Sequence, residues 1–347
     1  MNSEHAPNAS SRGERAKRGA VAKRLAGTTW SVVAPFVGLA VVVLVFVAYQ
    51  AIYKSDSPFL STFRMTLIAK QTAIVGIGAL GMTVIIISGG IDLSAGSMLA
   101  MTAVVLAVCL RDGVDPLLAV GLTLAAGLAA GALNGILITG LRLVPFIVTL
   151  GMMLALRGVA EQVADQKKVQ ADAPDWLATL LDPPAADSWQ LFCTGVWIVL
   201  VLGVLLTIVL RFTVFGRYVF AIGSNEATAR MCGINVPKIK IMVYALGGFF
   251  MAIAGIFSFN NLNRQGGPTE GIGLELDIIA AVVIGGGSLS GGRGSVLGSI
   301  IGALTMTTLR NGCVYAGISD PIQKIVIGGI IIAAVAIDQV AHRREAE

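Results

Sequence analysis

The chain has 347 residues, 55% of them apolar and only 13% charged, with 42 glycines and a formal charge of +5. That balance excludes a soluble domain, because so few charged residues do not cover the apolar surface, and it places the chain in a bilayer in contact with membrane lipid. A hydrocarbon core of roughly 30 Å takes about 20 apolar helical residues to cross, and about ten runs approach that length.

In chain order the runs are Trp30–Ile52, Met65–Ile87, Gly96–Leu110, Leu117–Thr139, Val144–Val163, Leu191–Leu210, Ile239–Phe259, Leu276–Gly285, Val296–Thr308 and Ile322–Val340. Arg157 and Glu161 interrupt the end of the fifth, and the eighth and ninth are short enough to be half-helices. The predicted fold class is therefore all-α, a polytopic membrane protein of about ten transmembrane helices, some of them broken. Residues 1–29 read as a basic tail and 30–341 as the transmembrane domain, with a polar loop at 211–240. The first run is about twice the length of a signal h-region and no small-residue cleavage site closes it, so it reads as a retained anchor.

Basic residues near helix ends stay on the cytoplasmic side. Arg12, Arg15, Lys17, Arg18, Lys23 and Arg24 hold the N-terminus inside, and Arg211, Arg217, Arg230, Lys238 and Lys240 do the same for the loop 211–240. The stretch between the fifth and sixth runs carries Asp165, Asp172, Asp175, Asp182 and Asp187 and is expected outside, while His342, Arg343 and Arg344 return the C-terminus to the cytoplasm. The net positive charge thus reflects topology, not nucleic acid. Cys109, Cys193, Cys232 and Cys313 lack CxxC spacing, so no metal or disulfide role is expected.

Helices in lipid associate through close backbone approach, which small residues permit. Gly127, Gly131 and Gly135 form one such ridge, and Gly294, Gly298 and Gly302 another. Each leads to an Asn-Gly pair, Asn134-Gly135 and Asn311-Gly312, then to Pro145 or Pro321 and to Gly151 or Gly328. An odd number of crossings separates the copies, so the duplication is predicted to be an inverted repeat, with the solute path near its pseudo-axis. Gly89-Gly90-Ile91-Asp92-Leu93-Ser94 also resembles Gly285-Gly286-Gly287-Ser288-Leu289-Ser290, but two runs follow the first before Asn-Gly and one follows the second. Either this pairing or the helix count is wrong.

Leu289-Ser290-Gly291-Gly292-Arg293 approaches the signature by which ABC ATPases clamp ATP, yet Gly-Lys occurs nowhere in the chain and no phosphate-binding loop accompanies it. The stretch is predicted to be a tight, glycine-built reversal between helices. The segment from Ser88 through Asp92 and Ser94 puts a carboxylate and hydroxyls beside apolar runs, a placement that survives only if packed in protein or facing water. It reads either as a cap on the third helix or as part of the solute path. Asn134, Glu275, Asp277 and Asn311 are further polar candidates for that path, although acids at 275 and 277 also suit a helix N-terminus. Asn260, Asn261, Asn263, Arg264 and Gln265 read as a polar outer loop, and Lys70 as a lysine snorkelling from the second helix.

Within 211–240, Gly223, Ser224 and Asn225 introduce a short helix from Glu226 through Ala227 and Arg230 to Cys232, stopped by Gly233, with Glu226 and Arg230 paired at i,i+4. Too short to stand alone, it suits docking into another protein's groove.

SGGIDLSAGSMLAM at 88–101, NGILITGLRLVPFIVTLGMM at 134–153, GRYVFAIGSNEATARMCGINV at 216–236, ELDIIAAVVIGGGSLSGGRGSVLGSIIGAL at 275–304 and the closing IVIGGIIIAAVAID resemble the permease subunits of bacterial ABC importers for monosaccharides. The resemblance implies a permease of the bacterial inner membrane that pairs with a second copy or a paralogue and receives pentose or hexose from a periplasmic binding protein. It also implies a cytoplasmic ATPase with two fused nucleotide domains, so that ATP and Mg are used by the partner and this chain binds no cofactor. The ATPase would couple through Gly223, Asn225, Glu226, Ala227, Arg230 and Gly233. The family's NEEAA-type stretch stands here as Asn225-Glu226-Ala227-Thr228-Ala229, one acid short, and its valine-glycine after the helix-three motif is Ala95-Gly96. Branched-chain amino-acid permeases share the looser plan. An ion-coupled secondary transporter is the rival from another class, with Asp92 its one mid-membrane candidate, and a membrane enzyme lacks any paired acids or nucleophile–base set.

Overall fold

The computed structural model describes residues 33–53, 58–183 and 192–346. The expectations for the basic tail 1–29, Trp30 and Asp187 fall outside the described residues. All ten apolar runs become helices, since a backbone surrounded by lipid must satisfy its polar groups internally. They are α1 (Val33–Tyr53), α2 (Thr62–Ile87), α3 (Ala95–Arg111), α4 (Pro116–Gly140), α5 (Pro145–Val163), α7 (Thr194–Phe212), α10 (Val236–Asn261), α11 (Leu274–Ile284), α12 (Val296–Tyr315) and α13 (Asp320–Ala346). Between them lie the short α6 (Asp175–Ala178), α8 (Val214–Ser224) and α9 (Glu226–Met231), and two-residue strands β1 (Val169–Gln170) and β2 (Gln265–Gly266), paired antiparallel.

Among the described residues six helices, α1, α2, α4, α5, α7 and α10, are long and apolar enough to cross a bilayer. At 1.5 Å per residue, α3 spans about 25 Å and α11 about 16 Å, so α11 is a half-helix. The ninth run does not end at Thr308: α12 continues to Tyr315, because Arg310 and Asn311 find partners and need not leave the protein. Sequence reading missed α8, whose buried face is only Gly216, Val219 and Ile222, three residues apart within a stretch that also carries Arg217 and three glycine or serine residues.

Two long helices, α2 and α10, form the centre. Residues 73–87 of α2 are buried around its whole circumference, as a helix apolar on every side must be, and Tyr244 and Phe257 on α10 are fully enclosed. The packing is symmetric. α4 lies on α10 as α12 lies on α2; α3 lies on α4, α5 and α10 as α11 lies on α12, α13 and α2. This pairing equates α2–α5 with α10–α13 and places Asn134 and Asn311 on equivalent helices, in agreement with the predicted duplication. The resemblance between 89–94 and 285–290 is not part of it. Residues 89–94 precede α3, whereas 285–290 follow α3's counterpart α11, so that pairing is corrected and the helix order stands.

The ridge on α4 meets α10 so closely that a Cβ at Gly127 or Gly131 would strike the backbone of Gly248 or Tyr244. The α12 ridge packs instead on α11, with Gly298 against Gly285 and Gly302 against Ala281. At one end of the bundle, called here the α9 face, the C-terminal end of α2, the turn 285–294 and α8–α9 converge. Gly292 donates its N–H to Ile87 O at 2.9 Å, and Gly223 sits where a Cβ would overlap both. The LSGGR stretch is the expected reversal, with Gly291 and Gly292 at positive φ. The opposite, hairpin face carries β1–β2 and α6. There Lys70 forms an ion pair with Asp182 at 3.7 Å, and Asn260 donates to Leu177 O and Ala178 O while accepting from Leu181 N. Asn260 thus ties α10 to the α6 segment and is no part of a free polar loop.

Candidate functional site: a polar cavity and a surface lever

A cavity of about 300 Å³ opens where α2, α10, α11 and α12 meet in the half of the bundle toward the hairpin face. Its polar lining comprises Gln71, Ser258, Asn261, Glu270, Asp277, Thr307 and Arg310, against Ile74, Val75, Leu99 and Met306. Of the two acids in the first turn of α11, Asp277 is buried and lines the cavity. Asp277 Oδ2 pairs with Arg310 at 2.7 Å, its side chain only 7% exposed against 45% for the arginine. Asn311 donates to Gln71 Oε1 at 2.8 Å, and the hydroxyls of Thr72 and Thr307 bond at 2.6 Å. Glu270 lies 3.8 Å from Lys168. Each charge lining the cavity therefore has an opposite charge beside it, and what remains to face a ligand is mainly amide and hydroxyl.

The wall at 267–273 is held from α5. Arg157 donates through Nη1 to Pro268 O and Glu270 O, both at 2.6 Å, and Gly271, at positive φ, lies against the backbone of Gly96. Arg157 therefore does more than interrupt an apolar run. Glu275 accepts the N–H of Gly273 at 3.2 Å and reaches toward Gly96, bracing the start of α11.

The seven path candidates divide into two groups. Asp277 lines the cavity, while Asn311 and Glu275 hold its walls. Ser88, Asp92, Ser94 and Asn134 are buried elsewhere, at the break between α2 and α3. Ser88 donates to Ile85 O at 2.7 Å, ending α2. Asp92 Oδ1 accepts Ser94 N–H at 2.8 Å and the Ser94 hydroxyl at 2.5 Å, and Asn134 Nδ2 donates to Ser94 Oγ at 2.9 Å. Neither Asp92 nor Ser94 caps the free N–H groups inside α3, so the capping reading is corrected: Asp92 folds the loop onto itself. Sequence reasoning passed over Arg310, Thr307 and Gln71 as cavity residues. Their signal was a charge or amide lodged within or beside an apolar run.

On the α9 face, Asn225 caps α9 by accepting Thr228 N–H at 2.9 Å, and Gly233, at φ +83°, turns the chain after it. Glu226 bonds Arg230 at 2.8 Å, the predicted i,i+4 pair, and also Lys240 of α10 at 2.6 Å. Partial burial lifts the Glu226 carboxyl, but Lys240 and then Arg230 outweigh it and hold the group below the usual carboxylate range. Gly223 lets α8 touch the end of α2, Ala227 is exposed, and Met231 is 88% exposed at the tip. The result is a short helix clamped at its base to α10 and bare on its outer side.

Residues 64–335 match the family model described as branched-chain amino acid transport system / permease component. The chain belongs to this permease family. It is 41% identical over 297 residues to the ribose import permease protein RbsC of Escherichia coli (strain K12), covering 83% of this chain and 89% of that one. It is 37% identical over 313 residues to RbsC of Bacillus subtilis (strain 168), covering 88% and 92%, and 36% identical over 307 residues to the fructose import permease protein FrcC of Rhizobium meliloti, covering 87% and 84%. No solved structure matches it. The protein is thus an integral membrane permease, a transport component, with the polytopic all-α fold of the preceding section.

Proposed function

We propose that this permease is the membrane subunit of an ATP-driven importer that passes a monosaccharide, pentose or hexose, from a periplasmic binding protein across the bacterial inner membrane. The cavity chemistry carries the reading. A sugar is neutral and both donates and accepts through every hydroxyl, and the lining offers amide and hydroxyl groups of Gln71, Ser258, Asn261 and Thr307. An amino acid would bring a carboxylate, and the one arginine lining the cavity is already committed to Asp277. The relatives, ribose and fructose import permeases, point to the same solute class.

In this reading the α9 face is cytoplasmic, with both termini on that side, and the hairpin face meets the binding protein. A cytoplasmic ATPase, with two fused nucleotide domains, seats on α9. Its closure, driven by ATP and Mg bound to that partner alone, pulls on Glu226, whose bond to Lys240 passes the movement directly to α10. Because α10 packs on α2, α3 and α4, displacing it changes the walls of the cavity. The chain supplies no phosphate-binding loop of its own. A second copy or paralogue completes the membrane assembly. The solute is held only weakly, since a tight site would slow its release.

The test is uptake of labelled ribose by vesicles containing the permease with its ATPase and binding protein. Unlabelled aldoses and ketoses are expected to compete and leucine and valine not to; competition by the amino acids and not by sugars would reverse the assignment.

A further inference from the structure

A second cavity, of about 420 Å³, lies on the α9 face, where the turn between α4 and α5 meets α9 and the start of α10. Its lining holds three cations, Arg142, Arg230 and Lys240, against one acid, Glu226. Both oxygens of that acid are taken, Oε1 by Arg230 at 2.8 Å and Oε2 by Lys240 at 2.6 Å. Arg142 is left over. It is exposed, and its guanidinium has no ion-pair or hydrogen-bond partner among the described residues. The lining therefore carries an excess of positive charge that this part of the chain does not balance.

The backbone adds to that excess. α5 starts at the cavity with Pro145 and has no side-chain cap, so the positive end of its dipole is unopposed there. Arg142 itself has φ +55°, a conformation that a long side chain adopts at a cost in strain and that gathers at ligand sites. The surroundings are apolar. Leu143 and Val144 line the cavity beside the cations, and Leu141, Phe146 and Ile147 stand exposed at the adjoining ends of α4 and α5, two helices able to cross the bilayer. A free anion would use the cations and leave this apolar rim bare, whereas a phospholipid uses both. A guanidinium binds phosphate through paired N–H donors, and basic pockets between membrane helices take acidic headgroups.

We propose that this cavity binds the phosphodiester headgroup of an anionic phospholipid, with Arg142 and Lys240 as its charged ligands and the acyl chains along the ends of α4 and α5. Lys240 also clamps α9 to α10, so the lipid sits at the base of the short helix and leaves its bare outer side to a protein partner. The site is separate from the solute cavity and stands independently of the sugar assignment.

The test uses the full-length permease in mild detergent with no ATPase present. Thermal unfolding and native mass spectrometry are followed with added phosphatidylglycerol, with phosphatidylcholine of the same acyl chains, and with inorganic phosphate. Phosphatidylglycerol should raise the midpoint saturably and stay bound, and the other two should not. Arg142→Gln should weaken the apparent affinity for phosphatidylglycerol by roughly tenfold or more, with the lipid-free midpoint unchanged because the side chain is exposed and unpaired. Arg217→Gln, exposed on α8 of the same face but outside the cavity lining, should leave the affinity as in wild type. An equal response to the two lipids, an equal rise with inorganic phosphate alone, or equal losses in the two variants would overturn the proposal. So would an Arg142→Gln permease that binds phosphatidylglycerol normally but captures its ATPase poorly, which would assign the cavity to a protein partner.

Discussion

Replacing Asp277 with asparagine keeps the shape of the cavity wall and removes one charge. Breaking a fully buried ion pair costs about 3–5 kcal/mol, whereas an exposed pair contributes about 0–1 kcal/mol. Here the aspartate is 7% exposed and the arginine 45%, so Arg310 regains water through the cavity and the loss of stability should be about 1–2 kcal/mol. The larger effect is on selectivity. A freed guanidinium facing the solute adds a charge-assisted hydrogen bond to an anionic ligand, worth about 1.5–3 kcal/mol. That is roughly a ten- to hundredfold gain for an aldonic acid over the corresponding neutral sugar. The assay is inhibition of labelled sugar uptake by aldonate and by aldose, in wild type and Asp277→Asn, at matched abundance in the membrane. An unchanged ratio of the two inhibition constants would mean that the solute does not meet this cavity, and the cavity argument would be refuted.

Other consequences follow from the same contacts. Glu226→Lys sets a third cation beside Arg230 and Lys240 and should uncouple ATP hydrolysis from uptake without lowering membrane insertion; unchanged uptake at normal abundance would count against α9 as the lever. The folded-state carboxyl of Glu226 lies below its ordinary value of 4.5, so its contribution to stability is full above that value and is lost as pH falls through the depressed one. Protection of the α9 amides should therefore hold from neutrality to about pH 5 and decline below it, and the decline should vanish in Glu226→Gln. Met231→Glu should weaken ATPase capture by detergent-solubilised permease at least tenfold with the thermal midpoint unchanged, since the side chain is 88% exposed. Asn260→Leu strands two carbonyls and one N–H at the α6 segment and should destabilise by about 3 kcal/mol or more, read as a lowered unfolding midpoint.

Helices were legible because lipid leaves the backbone no alternative, so apolar length translates directly into secondary structure. The α9 helix was legible for a different reason: Asn225, Glu226, Arg230 and Gly233 act locally, within one or two turns of each other. What escaped notice depends on long-range partners. Arg310 near a helix end reads as a stop until Asp277, on another helix, is known to neutralise it. Arg157 reads as a defect until the carbonyls at 268 and 270 come within reach. Asp92 and Asp277 look alike as acids beside apolar runs, yet one is buried against Ser94 and the other lines a cavity. The false pairing of 89–94 with 285–290 has a related origin, since glycine and serine recur wherever a tight reversal is needed, whatever the ancestry of the segment.

In the proposed function this permease provides the path and another subunit supplies the energy. Purified permease in liposomes, alone and then with its ATPase and sugar-binding protein, allows ATP hydrolysis and labelled-sugar accumulation to be read from the same sample. Alone it should hydrolyse no ATP and concentrate no sugar, and the complete set should do both in proportion. Uphill transport or nucleotide hydrolysis by the lone permease would contradict the account.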